Sequence, residues 1–150
     1  MTLASTKINS IELVIAGDLA GVGAAWIPID DGVARWSAVD DPVGSWRQAL
    51  LVGAMPVREA VRRHLAILLA EDGGTCELFP GVFAIGCVSE TRRGRCEGIA
   101  ILATDELITE GSLSMLCNAS KVDETVIRGF ALRDSLPPSA AIPAITDLVQ

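Results

Sequence analysis

A chain of 150 residues can bury one sizeable core and is short for two. Its net charge of −7 excludes a broad phosphate-binding face, so nucleic acid is not an expected partner. Half of its residues are apolar, but the longest apolar runs, LAGVGAAWIPI and ALLVGAMPV, are cut by glycine and proline well short of the roughly 18 residues of a membrane span, so no membrane partner is expected either.

A mean hydropathy of +0.43 is high for such a chain. The surplus apolar surface is expected to be covered by a partner, most simply a second copy in a homodimer. MTLASTKINS offers no basic segment ahead of an apolar run, which makes the cytoplasm the expected compartment and keeps the cysteines reduced. Residues 1–45 carry −4, residues 46–95 carry +2 and residues 96–150 carry −5. A mildly basic middle between acidic ends suits self-complementary association, although ordinary solvated charge explains it as simply.

Residues 8–16, INSIELVIA, are rich in β-branched residues and read as a strand. GDLAGVG follows as a loop; it lacks the glycine spacing, the lysine and the succeeding helix of a phosphate-binding loop. Trp26–Val39 reads as a hairpin, because Asp31-Gly32 is the dipeptide of a type I′ turn. Ile29 then faces Ala34 and Ile27 faces Trp36. Pro28 has no N–H for a ladder and belongs at an edge or a bulge. The pairs Asp30-Asp31 and Asp40-Asp41 stand more than about 20 Å apart along a strand, too far for one metal site. Turn chemistry and capping account for both. A short helix is expected over about 46–52, capped by Ser45 and stopped by Gly53.

Pro56–Asp72 has the clearest pattern in the chain. Val57, Ala60, Val61, His64, Leu65, Leu68 and Leu69 recur at helical spacing, with arginines and Glu59 opposite, Pro56 at the start and Gly73-Gly74 at the end. Thr75–Phe79 is a short extended segment and Pro80-Gly81 a turn. Val82–Ser89 and Glu97–Thr104 are apolar on both faces and form the centre of the sheet, joined by a hairpin at Thr91–Arg95. Ser112–Asn118 reads as a strand, and Val126–Arg133 admits a helix starting near Asp123. Leu136-Pro137-Pro138 ends the regular domain, residues 1–135, and leaves 136–150 as a Pro/Ala-rich tail or docking arm.

Strands flanking one main helix without βαβ alternation define the fold class as α+β: a mainly antiparallel sheet of about five to seven strands packed on the helix at about 56–72. One helix covers one face. The other face is left to an oligomer interface or a small apolar pocket.

Chemistry-bearing residues are few. His64, the only histidine, lies within the apolar stripe; it is either a hydrogen-bonded core residue or, beside a cleft, a general acid or base. Cys76, Cys87, Cys96 and Cys117 form no CxxC pair and read as small buried hydrophobes, so neither a metal nor any other cofactor is expected. Arg92, Arg93 and Arg95 crowd a hairpin tip, where they serve an anion or acidic partner or simply keep the turn solvated. Trp26, Trp36 and Trp46 fall on different elements as core anchors, or as walls of a pocket or interface.

The resulting expectation is a small, acidic, homo-oligomeric protein-binding module, an adaptor, inhibitor or chaperone-like chain without enzymatic activity. The alternatives are a small enzyme using His64 on a hydrophobic molecule, and a sensor that binds such a molecule without turnover. The surroundings of His64 discriminate among them.

Overall fold

A computed structural model describes residues 25–36, 45–70, 74–91, 94–109 and 112–149. The strand read at 8–16, the loop Gly17–Gly23, the acidic pair Asp40-Asp41 and the arginines Arg92 and Arg93 lie outside the described residues.

Ala25–Asp30 (β1) and Val33–Ala34 (β2) are joined by Asp31 at φ 51° and Gly32 at φ 74°, both left-handed as a type I′ turn requires. Ile29 pairs with Ala34 and Asp30 with Val33, after which Trp36 leaves the ladder and Ile27 has Ile99 as its cross-strand neighbour instead. The Pro28 carbonyl accepts a hydrogen bond from the Arg35 N–H at 2.8 Å. Because the N and C=O of one residue point to the same side of a strand, the proline nitrogen faces the side where β2 has already ended.

Thr75–Phe79 (β3), Val82–Thr91 (β4) and Gly94–Ala103 (β5) complete a five-stranded antiparallel sheet of order β2-β1-β5-β4-β3. Together with the helices on its faces it makes the fold α+β.

The helical layer begins with Ser45–Arg47 (α1), which continues as a wide π turn over Gln48–Val52, closed by the Gly53 N–H on the Gln48 carbonyl at 2.9 Å. That wider winding lets Leu50, Leu51 and Val52 all be buried in succession. The apolar stripe expected on one rod is carried by two segments, Met55–Arg63 (α2) and Leu65–Leu68 (α3). They are separated at His64, whose φ of −102° and ψ of 8° leave the helical region. The His64 N–H is shared between the Ala60 and Val61 carbonyls, and Nδ1 lies 2.8 Å from the same Ala60 oxygen. This crowding at one carbonyl tightens the turn and divides the helix.

Glu106–Thr109 (α4), Ser112–Ser120 (α5) and Glu124–Arg133 (α6) follow the sheet. The strand reading of Ser112–Asn118 is corrected: Leu113, Leu116 and Cys117 recur at helical spacing and are all buried, a period masked in the sequence by alternating serines. α6 starts where a helix was admitted, with the Asp123 carboxylate accepting from Thr125 N–H and Val126 N–H at 2.8 and 3.2 Å. A 3₁₀ turn, Ser139–Ala141, leads into the last helix, Ile142–Val149 (α7). Among the described residues no helix is long and apolar enough to cross a membrane.

Strand alternation sorts the core into two halves. Ile27, Ile29, Ala84, Ile99 and Ile101 pack on one face against Leu50 and Leu51, Val57 and Val61, Leu68, Leu113 and Leu116, Ile127 and Ala131. Trp26, Ile85, Cys87, Ala100 and Leu102 occupy the opposite face, under Ile142 and Ile145 of α7. Both sides of the central strands are therefore covered within one chain. Gly98 lies directly beneath the Trp26 ring, where any side chain would collide with the indole.

Candidate functional site

The site is assembled where the hairpin tip meets α2. Ala54 is extended and Pro56 pre-sets the first helical turn, so α2 begins abruptly and leaves Met55 standing on its rim, 59% exposed. The type I′ turn projects Val33 from the opposite rim, 62% exposed. Between them lies a groove of about 420 Å³ whose walls include Val33, Trp36, Met55, Val61 and Leu65 with Arg58 and Arg62 at its edge.

Arg58 is held in place twice. Its guanidinium carbon lies 5.1 Å from the centre of the Trp36 ring, and Nε donates to the Val52 carbonyl at 2.7 Å. The remaining donors of that planar fork are not tied to a carboxylate by any contact among the described residues. Arg62 instead pairs with Glu59 at 3.2 Å, and on the hairpin Arg35 pairs with Asp30 at 2.8 Å. The groove thus offers apolar walls, one fixed cation and a second cation already matched by an acid. Chemically, such a lining can hold an apolar group with a carboxylate beside it.

The other sequence candidates are dispersed. His64 is half-buried with Nδ1 on its own helix's Ala60 carbonyl, while the groove wall runs through Val61, Arg62 and Leu65. Of the three tryptophans only Trp36 lines the groove. Trp26 is buried under α7, and its Nε1 has no partner among the described residues. Trp46 is buried in the first core half, and its Nε1 donates to Asp134 Oδ2 at 2.6 Å. That oxygen also receives Arg47 Nη1 at 3.0 Å, while Arg47, only 2% exposed, lies with its guanidinium 4.6 Å from the Trp46 ring centre and leaves its Nε unpaired. Arg95 belongs to β5, across from Glu90.

Cys76, Cys87 and Cys117 are free thiols on separate elements. Burial pushes the Cys87 thiol up to about 12, and burial, then Glu77, raises Cys76. Cys117 is raised by burial first and by the nearby Glu124 and Asp123, with Arg128 opposing. Raised thiols are poor nucleophiles at neutral pH.

Sequence reasoning singled out Trp36 but missed Met55, Val33 and the special position of Arg58. One signal was available: Met55 sits immediately before Pro56 and outside the apolar stripe, which marks an apolar residue with nothing on its own helix to cover it. Neither the family models, the curated proteins nor the solved structures searched contain a match to this chain.

Proposed function

We propose that this chain is a non-enzymatic, homodimeric protein-binding module. Its groove between the β1–β2 hairpin and α2 takes an apolar side chain and an adjacent carboxylate from a partner protein. The observation that carries the reading is Arg58, stacked on Trp36 and anchored to Val52 at the lip of an apolar groove. A preorganised guanidinium loses little freedom on binding, so a carboxylate gains most of the interaction. The reading makes no use of His64, whose Nδ1 lies 2.8 Å from the Ala60 carbonyl while the groove wall runs through Val61, Arg62 and Leu65. The cytoplasm is the compartment that goes with it, in keeping with free thiols at Cys76, Cys87 and Cys117.

Selection of displayed random peptides on the full chain tests the reading. Enriched sequences should place Asp or Glu next to an apolar residue. Arg58→Gln should weaken them about tenfold to a hundredfold, the worth of one charge-assisted hydrogen bond of roughly 1.5–3 kcal/mol. Met55→Glu, at an exposed rim position, should abolish binding without unfolding the chain. Failure to enrich any peptide, or enriched peptides indifferent to both substitutions, overturns the proposal; capture of a small apolar acid in place of peptides would favour the sensor reading.

A further inference from the structure

Among the described residues the outer face of α6 is left exposed. Ile127 and Ala131 are buried in the core, and Glu124 and Arg128 pair at 2.8 Å on one flank. The rest of the helix is exposed, Thr125 and Leu132 on one side and, on the other, a stripe of Val126, Gly129, Phe130 and Arg133, at i, i+3, i+4 and i+7. Val126 is 52% exposed and Phe130 40%, and an added Cβ at Gly129 would meet nothing within 4 Å. Glycine inside a helix is unfavourable next to almost any other residue, and here neither a positive φ nor a close neighbour requires it. The stripe therefore carries two exposed apolar side chains beside a notch.

We infer that this stripe is the contact between two copies of the chain, α6 against α6 in antiparallel orientation across a two-fold axis. With the axis between positions 129 and 130, the Phe130 ring of each copy sits over Gly129 of the other, filling the space that the glycine leaves open. The same register sets Arg133 opposite Val126 of the second copy, three residues from Asp123. Three residues rise about 4.5 Å along a helix, within the reach of an arginine side chain. Asp123 and Glu124 at one end and Arg133 at the other are thus charge-complementary only in the antiparallel arrangement, which also opposes the two helix dipoles. Parallel pairing would set Arg133 against Arg133. In the single chain Arg133 has the Phe130 ring as its neighbour, at 5.2 Å, so the cation already lies on the same stripe.

A contact through one ten-residue helix is smaller than the about 800 Å² per partner of stable complexes, which makes this a weak, reversible dimer with a dissociation constant on the order of 100 μM. The inference rests on the homodimer part of the proposed function and is independent of the groove.

Sedimentation equilibrium on the full chain, from about 10 μM to about 1 mM, is the test. Wild type should pass from monomer to dimer across that range. Gly129→Leu should raise the thermal midpoint, because leucine is the better helix former, and yet weaken the dimer more than about tenfold by filling the notch. Val126→Glu should weaken it similarly, Arg133→Glu less and mainly at low salt, and Met55→Glu in the groove not at all. A wild type that stays monomeric overturns the inference. So does a dimer whose constant is unchanged in Gly129→Leu and Val126→Glu, or one lost only in Met55→Glu; peptide binding in the groove is unaffected by any of these outcomes.

Discussion

The two faces of the sheet are covered in different ways. On one face α1 with its π turn, α2, α3, α5 and α6 together bury Ile27, Ala84, Ile99 and Ile101. On the other, among the described residues, one helix, α7, presents Ile142 and Ile145 to Trp26, Ile85, Ala100 and Leu102. The first face is redundant, since removing any one contact leaves several elements in place. Among the described helices the second is served by one short segment late in the chain. That segment is tied down by three hydrogen bonds: Asp105 N–H to the Pro137 carbonyl at 2.9 Å, Thr104 with Ser139 at 2.8 Å, and Thr75 with Thr146 at 3.1 Å. The buried Thr104 hydroxyl has Ser139 of this segment as its partner.

The contrast is broken most severely by deleting residues 139–150. Two isoleucines lose their burial at roughly 1.5–3 kcal/mol each, and the apolar residues beneath them are uncovered, so the loss should exceed about 5 kcal/mol. Urea denaturation read by circular dichroism measures it, and dye binding should report the uncovered face. An unchanged midpoint would show that α7 is not what holds that side.

On the first face the strongest single effect should come from Asp134→Ala. It removes the carboxylate that accepts from both Trp46 Nε1 and Arg47 Nη1, leaving a buried guanidinium uncompensated. Breaking fully buried pairs costs about 3–5 kcal/mol; with Asp134 partly exposed, about 3 kcal/mol is expected in the same denaturation assay. Asp134→Asn, which keeps an acceptor but not the charge, should recover part of the loss.

The second face answers to pH through Cys87. Its folded-state thiol is raised by burial to about 12 from 9.0, so the folded chain holds a proton that the unfolded chain releases. The contribution is complete below pH 9 and is lost as pH rises toward 12. The slope is about 1.4 kcal/mol per pH unit within that window. Cys87→Ala should flatten this part of the stability profile between pH 8 and pH 10.5, while a slope equal to wild type would remove Cys87 from the account.

The same contrast explains what was legible in the sequence. Asp31-Gly32 specified its turn because the dihedrals needed there belong to few residues, and strands 82–89 and 97–104 revealed two covered faces because both alternating sets were apolar. The stripe after Pro56 specified a helical face but not its division, which depends on one imidazole competing for the Ala60 carbonyl. α5 was misread because five polar or sulfur-bearing residues, Ser112, Ser114, Met115, Cys117 and Asn118, alternate with its leucines at a short range where periods of 2 and 3.6 are hard to tell apart. The groove was legible only through Trp36 and the position of Met55 before Pro56, and the Trp46–Arg47–Asp134 cluster not at all. The cluster's members are brought together from positions up to 88 residues apart, and nothing local in Asp134 encodes a neighbour that distant.

The smallest effects separate the two faces most sharply, because each face contains one buried tryptophan. Trp46 donates Nε1 to a carboxylate, whereas Trp26 has the same atom buried without an acceptor among the described residues. Replacing either by phenylalanine removes similar apolar area and one N–H. At position 46 the change also removes a charge-assisted hydrogen bond, worth about 1.5–3 kcal/mol, and should lower stability by about 2 kcal/mol. At position 26 the lost area is offset by relief of an unsatisfied donor, whose burial costs on the order of 1–3 kcal/mol. Trp26→Phe should therefore stay within about 1 kcal/mol of wild type. Gly98 tests the packing half of that balance, since the indole lies on its bare backbone and a smaller ring leaves a gap there. If Trp26→Phe proved as costly as Trp46→Phe, ring packing on Gly98 rather than hydrogen bonding would set the difference between the faces.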